Sequence, residues 1–394
     1  MALVIDGDTR TSVRLLSVCM QMGLHGGNRV VFNLIGVPGI AKTEGVKAVC
    51  AAIGERIKRN FPPEIYSGPQ LQPEELCGLP VPDLEKGRTV LLPLRIGDKV
   101  IAAGSGVVCI DEFGSLSPAQ EAATLNFTQG GQLGEYVLPS EVAIGIMMNP
   151  EDIASNGRGL GAAAINRVVN IDWHLDNSAW YDYMLGGKGL AADVEILDPE
   201  WETKYGHVAR SLVVSYIRRN PGALLNLPND QDVNKAWPSP RSWETAARLL
   251  AACLSLGEKK ESDLAHLAIA GAIGEGEAES FMEWMIKINL PDPEELLKDA
   301  VKALKKLPTR HDQRSVTLEA VAVAACQEHK EKAKRWETAW AIVGPVFIEE
   351  NDVGMAAAKY LAKNIVPGAK RPPETKKVIE ILRKAGLLPA TAKA

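Results

Sequence analysis

Along the first two hundred residues, short apolar runs alternate with amphipathic stretches. Four runs, "RVVFNLI" at 29–35, "GVVCIDEF" at 106–113, "VAIGIMMN" at 142–149 and "RVVNIDW" at 167–173, are rich in β-branched residues and apolar on both faces. That pattern predicts strands of a parallel sheet covered on both sides. Between them, helical periodicity predicts helices over 9–23, 44–58 and 118–128. Alternation of strand and helix means an α/β layer fold.

After about residue 200 the strand signals largely stop. Helical patterns follow at 207–219, 241–255, 261–272, 276–288, 293–306, 313–331, 352–364 and 374–386. They are broken at "NLPND", "WPSP", "NLPDP" and "VPGAKRPP", where proline and glycine end helices. This divides the chain into an α/β core over 1–200, an all-α segment over 201–290 and an all-α extension over 291–394.

Composition narrows the class without naming a function. At 394 residues, with 46% hydrophobic and 24% charged positions, the chain is a soluble globular protein with a sizeable core. A formal net charge of −5 argues against coating nucleic acid by bulk electrostatics, although a local basic patch stays open. The six cysteines never form Cys-x-x-Cys, so neither a zinc site nor a disulfide framework is expected, which fits a reducing compartment. The opening "MALVIDGDTR" lacks a basic, long apolar signal region, and no run approaches the ~18 apolar residues of a membrane span. A cytoplasmic protein without a membrane segment is expected.

The first chemical signal is "GVPGIAKT" at 36–43, between a predicted strand and a predicted helix. It fits G-x-x-x-x-[AG]-K-T. Backbone N–H groups of such a loop, together with the following helix N-terminus, wrap phosphates. Gly36 and Gly39 permit close backbone approach, and Pro38 stiffens the loop between Val37 and Ile40. Lys42 would neutralise phosphate oxygens and the Thr43 hydroxyl would ligate Mg2+. Ala41 stands where glycine is usual; the residue is acceptable there if its φ is negative and its methyl points away from the phosphates, and glycine is required only if φ is positive. An ordinary strand-to-helix turn matches the same short pattern.

The second signal is Asp111-Glu112, after four apolar residues at a predicted strand's carboxyl end, where open α/β sheets bind ligands. Asp111 would hold Mg2+ through its water shell, and Glu112 would orient and deprotonate an attacking water. Asn149 ends another buried run: either its amide aligns that water, or it makes an Asx turn before Pro150. Arg167, just before a strand, is either a surface charge or a guanidinium offered to a neighbouring subunit's phosphate. Arg241 opens a helix after two prolines, where a cation works against the helix dipole, unless it is simply solvated.

In this order the signals resemble the AAA+ ATPases, and within them the MoxR-like branch, over roughly residues 10–290. The likeness is carried by "GVPGIAKT", where that branch commonly has Ala before Lys, and by "LQPEELCGLPVPD" at 71–83. It is carried further by "CIDEFGSLSPAQEAATLNFTQGG" and by "SPRSW", which resembles the branch's Ser-Pro-Arg. The resemblance implies that residues 36–43 bind ATP, that Thr43 and Asp111 hold Mg2+, and that Glu112 completes Walker B. It further implies Asn149 as sensor 1, Arg167 as arginine finger and Arg241 as sensor 2. Two departures stand out. Phe113-Gly114-Ser115 follows Walker B instead of Ile-Asn-Arg, and the smooth "GRGLGAAAINRVV" makes Arg158 a second finger candidate.

The resemblance implies an α/β P-loop NTPase core with a parallel sheet, an all-α lid and an all-α C-terminal extension. It also implies a homo-oligomeric ring, most often a hexamer. Such a ring remodels or matures a protein client, often with a partner containing a von Willebrand factor A domain. A nucleic-acid-directed motor, marked by salt-sensitive DNA binding, is the alternative, and a nucleotide-gated scaffold with little turnover is a third reading. The basic clusters "KALKKLPTR", "HKEKAKR" and "GAKRPPETKK" read most simply as solvated helix faces with i,i+4 acidic partners.

Overall fold

In the computed structural model of the chain, all four apolar runs become strands. The structure describes residues 7–388 with the exception of 86, 93–95, 154–158, 188–191, 229–234, 289 and 328. Its strands are β1 (Val31–Ile35), β2 (Pro63–Ser67), β3 (Leu79–Asp83), β4 (Arg88–Leu92), β5 (Gly106–Asp111), β6 (Gln132–Leu133), β7 (Tyr136–Val137), β8 (Val142–Met148) and β9 (Val168–Asp172). Five of these form one parallel sheet in the order β2-β5-β8-β1-β9. The chain leaves β1 for the far edge, returns through β5 and β8, and then passes to the other side of β1. Strand order therefore reverses at β1, and the crevice beyond its carboxyl end is the natural ligand position.

Five strands of this region, β2, β3, β4, β6 and β7, escape the apolar pattern. β2 is an edge strand whose first residue is Pro63, a place where a missing N–H does no harm. Strands β3 and β4 pair as an antiparallel hairpin, Val81 opposite Val90, with Pro80 and Pro82 on a ladder that has no further neighbour among the described residues. Prolines in the first of these runs hide the hairpin from any reading by periodicity.

The helices of the same region are α1 (Gly7–Gln21), α2 (Lys42–Ile57), α3 (Pro73–Cys77), α4 (Asp98–Ala103), α5 (Pro118–Gly130), α6 (Ala162–Ile165) and α7 (Asn177–Met184). In α2, Val46, Val49, Cys50 and Ile53 are buried at helical spacing, which is why this segment packs on the sheet. Beyond them lie α8 (Trp201–Arg219), α9 (Pro240–Ser255), α10 (Asp263–Ile273), α11 (Glu275–Lys287), α12 (Pro293–Leu296), α13 (Ala300–Lys306), α14 (His311–Cys326), α15 (Lys332–Glu349), α16 (Asn351–Lys363) and α17 (Pro373–Lys384). The fold class is the one expected: a parallel α/β core of the P-loop type followed by helices.

The chain forms two compact units, Met1–Pro199 with Leu225–Glu279, and Glu200–Leu224 with Ser280–Ala394. In the first, α10 packs on β9 and on α9, so two helices of the later sequence belong with the sheet. The second unit closes on Trp336, Trp340, Phe347, Leu361 and Val378, with α14 lying against α8, α15 and α16.

Three helical expectations change in the second unit. The pattern at 293–306 is two helices, because the Asp299 side chain accepts from the backbone N–H groups of Val301 and Lys302 at 3.0 and 3.1 Å and starts a new helix there. The pattern at 313–331 ends at Cys326, and α15 follows unannounced, its interior Pro345 interrupting the usual signal. "HKEKAKR" is not wholly a solvated face. Arg335 is buried and makes a bidentate pair with Glu294 at 2.6 and 2.6 Å, donating also to the Ala324 carbonyl at 2.9 Å. Such a planar fork ties three helices together.

Burial raises the Glu319 carboxyl on α14 to about 7, with Ser315 and the Arg218 guanidinium pulling the other way. A carboxyl raised in the folded state holds a proton that the unfolded chain has lost, so stability falls as pH rises from the ordinary carboxylate range through 7. Glu319→Gln is expected to flatten that dependence and to raise stability at pH 8 by on the order of 1–2 kcal/mol. Urea denaturation of both proteins at pH 5 and pH 8 measures it; parallel curves would remove Glu319 as the source.

Candidate nucleotide site

The phosphate-type loop follows β1 directly. The Gly36 N–H donates to the Met148 carbonyl at 3.1 Å, which fixes the loop's departure beside the end of β8. A side chain at Gly36 would come within 2.7 Å of the Trp173 carbonyl and 2.8 Å of the Ile40 side chain, so glycine is required by space. Gly39 has φ of 80°. From behind, the Trp173 indole N–H donates to the Ile40 carbonyl at 3.2 Å, and the Trp173 ring fills the place a Gly45 side chain would take. The loop is thus held on its outer face by an aromatic side chain from the end of β9.

Of the two cases open for Ala41 the structure shows the positive one: its φ is 64° and ψ 32°, in the left-handed region, where it caps α2. A Cβ in that region costs about 1–2 kcal/mol, which glycine avoids. Ala41→Gly is therefore expected to stabilise the protein by roughly 0.5–1 kcal/mol after glycine's own entropy loss on folding. Chemical denaturation reads this directly, and a destabilised variant would contradict the positive φ.

Lys42 begins α2 with its ammonium buried. Its Nζ donates to the Gly36 carbonyl at 2.5 Å, the Val37 carbonyl at 3.1 Å and Asn149 Oδ1 at 3.0 Å. Burial pushes the ammonium below its ordinary value, partly offset by the Asp111 carboxylate. Beside it, the Thr43 hydroxyl donates to Asp111 Oδ2 at 3.0 Å, while Asp111 Oδ1 accepts the Glu112 N–H at 2.8 Å. Glu112 turns the chain at the strand end with φ of 55° and stays exposed, its carboxylate accepting from the Ser67 hydroxyl at 3.3 Å. Ser67 is a residue sequence reading missed, because it ends the unrecognised strand β2.

The ends of β1, β5 and β8 thus bring Lys42, Thr43, Asp111, Glu112 and Asn149 to one place. The amino end of α2 begins at Lys42, directly after this loop, and the first-turn N–H groups of a helix have no intrahelical partner, a setting that favours an anion. Among the described residues, no three His, Cys, Asp or Glu side chains cluster as a metal site. The Thr43 hydroxyl and Asp111 carboxylate are a hard-oxygen pair of the kind that suits Mg2+, which keeps several waters and takes further ligands from phosphates.

Arg167 and Arg241 are elsewhere. Arg167 precedes β9 and lies half-buried, its backbone N–H donating to the Ala164 carbonyl at 3.0 Å. Its neighbour Asn166 accepts from the Ser239 hydroxyl at 2.8 Å and donates to the Trp237 carbonyl at 3.0 Å. Ser239 caps α9, and Arg241 is exposed in the first turn of that helix. One pair of hydrogen bonds therefore sets both arginines at the amino-terminal edge of the sheet. The phosphate-type loop is at the carboxyl edge, about 16 Å away at ~3.3 Å per strand residue. The alternative candidate, Arg158, is outside the described residues.

No family model matches the chain, and no curated protein matches it. Solved structures to which it is similar include a mutant of the Thermotoga maritima RuvB, at 12% identity and TM-score 0.29, covering 83% of this chain and 91% of that one. Another is the Aeropyrum pernix ORC1 protein in complex with DNA, at 13% identity and TM-score 0.31, covering 92% and 93%. A third is Drosophila ORC bound to DNA, at 13% identity and TM-score 0.26, covering 98% and 79%. At scores this low the likenesses decide nothing; the fold class stands on the sheet order and the strand-end geometry. No helix among the described residues is long and apolar enough to cross a membrane.

Proposed function

We propose that the chain is an AAA+ ATPase of the MoxR-like type, hydrolysing ATP with Mg2+ in a homo-oligomeric ring, a hexamer, to remodel or mature a protein client. The observation that carries this is the meeting of Lys42, Thr43, Asp111 and Asn149 at the carboxyl ends of β1, β5 and β8. Phosphate oxygens are stronger partners for an ammonium than the backbone carbonyls that now hold Lys42, so binding draws Lys42 off Gly36 and Val37. Thr43 and Asp111 hold the Mg2+, which when bound neutralises phosphate charge. Glu112, exposed beyond Asp111, takes the proton of the attacking water, and Asn149 orients that water. Arg167 and Arg241, at the opposite edge of the sheet, serve the site of the next subunit.

Lys42→Ala is expected to weaken ATP binding by at least roughly 100-fold, the loss of a buried charge-assisted contact. Calorimetric titration measures it, and binding at the parent affinity would remove the loop from the site. ATP turnover, measured beside mass in solution with and without ATP, tests the ring. Turnover confined to a ring-sized particle supports it, whereas binding without turnover in a particle indifferent to ATP favours a nucleotide-gated scaffold.

A further inference from the structure

Trp173, the residue after β9, is 3% exposed and touches the chain at three points around the phosphate-type loop. Its backbone N–H donates to the Ile35 carbonyl at 2.7 Å, where the loop leaves β1. Its indole N–H donates to the Ile40 carbonyl at 3.2 Å. Its ring lies where a Gly45 side chain would stand, 2.4 and 2.5 Å from that Cβ. The first and last contacts fix where the loop begins and where α2 runs. The middle one fixes a peptide plane.

Peptide units are planar and trans in this chain, so a carbonyl and the N–H that follows it point opposite ways. With the Ile40 carbonyl held on the indole, the Ala41 N–H is aimed away from Trp173 and has no partner among the described residues. Ala41 is left-handed, whereas Lys42 opens a right-handed helix. A change of hand between neighbours turns successive N–H groups into one concavity, which is an anion-binding shape. Glycine holds that conformation without strain, but alanine does not. In this chain the conformation therefore needs a tether, and the indole N–H supplies it.

We propose that Trp173 is a positioning residue for phosphate binding: its indole N–H holds the Ile40 carbonyl back, keeps Ala41 left-handed and aims the Ala41 N–H at the phosphate. The inference rests on the nucleotide reading above and adds to it what holds the loop in its binding shape. Trp173 acts from behind the loop and makes no contact with phosphate itself. Its effect passes through one peptide unit, and it matters because position 41 is alanine.

The test is calorimetric titration of inorganic tripolyphosphate and of ATP, each with Mg2+. Tripolyphosphate reads the loop alone. Trp173→Phe keeps a ring against Gly45 but lacks the indole N–H. It is expected to weaken both ligands roughly 3- to 10-fold, the worth of one hydrogen bond. In the Ala41→Gly background the same substitution is expected to change either affinity by less than roughly twofold, because glycine keeps the left-handed angle unaided. A Trp173 that merely filled space would cost the same affinity in both backgrounds, so the rescue separates positioning from packing. Where Trp173→Phe does not fold, benzothienylalanine at position 173 takes its place, with both rings kept and sulfur standing for the N–H. The same two backgrounds are then compared. An affinity unchanged by loss of the N–H overturns the positioning role, and so does an equal loss in both backgrounds. A wild-type chain that binds neither tripolyphosphate nor ATP instead strikes the phosphate loop, and the positioning role falls with it.

Discussion

Glu112→Gln is expected to bind ATP as tightly as the parent chain and to hydrolyse it roughly 10²- to 10⁴-fold more slowly, the range a positioned general base contributes. The physical reason is the division of labour at the end of β5. Asp111 is occupied on both oxygens, by the Thr43 hydroxyl and the Glu112 N–H, and belongs to the loop. Glu112 stands one residue further, exposed, with the Ser67 hydroxyl 3.3 Å from its carboxylate. Exchanging that carboxylate for an amide removes a proton acceptor and leaves the Thr43–Asp111 pair intact. Single-turnover hydrolysis beside equilibrium binding separates the two effects. Turnover at the parent rate would take Glu112 out of the mechanism, and lost binding would assign it to the metal instead.

Arg167→Ala is expected to reduce hydrolysis by roughly 10³-fold, as removal of an arginine finger does, without weakening ATP binding to the same subunit. The geometry forbids a role in its own site. Arg167 is at the amino-terminal edge of β9, and the loop of the same chain is at the carboxyl edge of the paired strand β1. In the proposed ring, a guanidinium from that edge is offered to the neighbouring subunit's site. Mixed assemblies of Arg167→Ala with Lys42→Ala subunits therefore regain activity wherever an intact loop meets an intact arginine. Mixtures as inactive as either parent would exclude Arg167 as the donor in trans. Arg241 shares this edge through the Asn166–Ser239 hydrogen bond, so Arg241→Ala is expected to behave in the same sense.

A pH dependence follows from Lys42. Its ammonium is depressed by burial, so it loses its proton at a lower pH than an exposed lysine does, and phosphate binding declines on the alkaline side with it.

Much of the core was legible in the order of residues. β-branched runs buried on both faces can be little else than strands of a covered parallel sheet, and all four became such strands within two residues of their expected limits. The loop at 36–43 and the acidic pair at 111–112 were legible because each is local: a few consecutive residues whose chemistry depends on little beyond a strand end. Where local signals conflicted, reading failed. Prolines concealed the β3–β4 hairpin and α15, although Pro80, Pro82 and Pro345 are all accommodated.

What lay between distant segments was not in the sequence pattern. The backbone angle of Ala41 is set by how the loop must turn under Trp173, not by alanine's own preference, and it came out positive. Arg335 looks like one member of a basic run, yet Glu294, far away in sequence, draws it into the core. The pairing of Lys42 with Asn149, the joining of Arg167's neighbour to Arg241's helix, and the indole bond of Trp173 to Ile40 all join residues that only the packing of the chain brings together. The sequence by itself determined four strands of the central sheet and the helices that pack on them, and where the loop at 36–43 leaves its strand, because those follow from side-chain period and local backbone freedom. Only the tertiary structure decided which side of the sheet each charged group serves, because strand order and direction are settled by burying all the apolar faces at once.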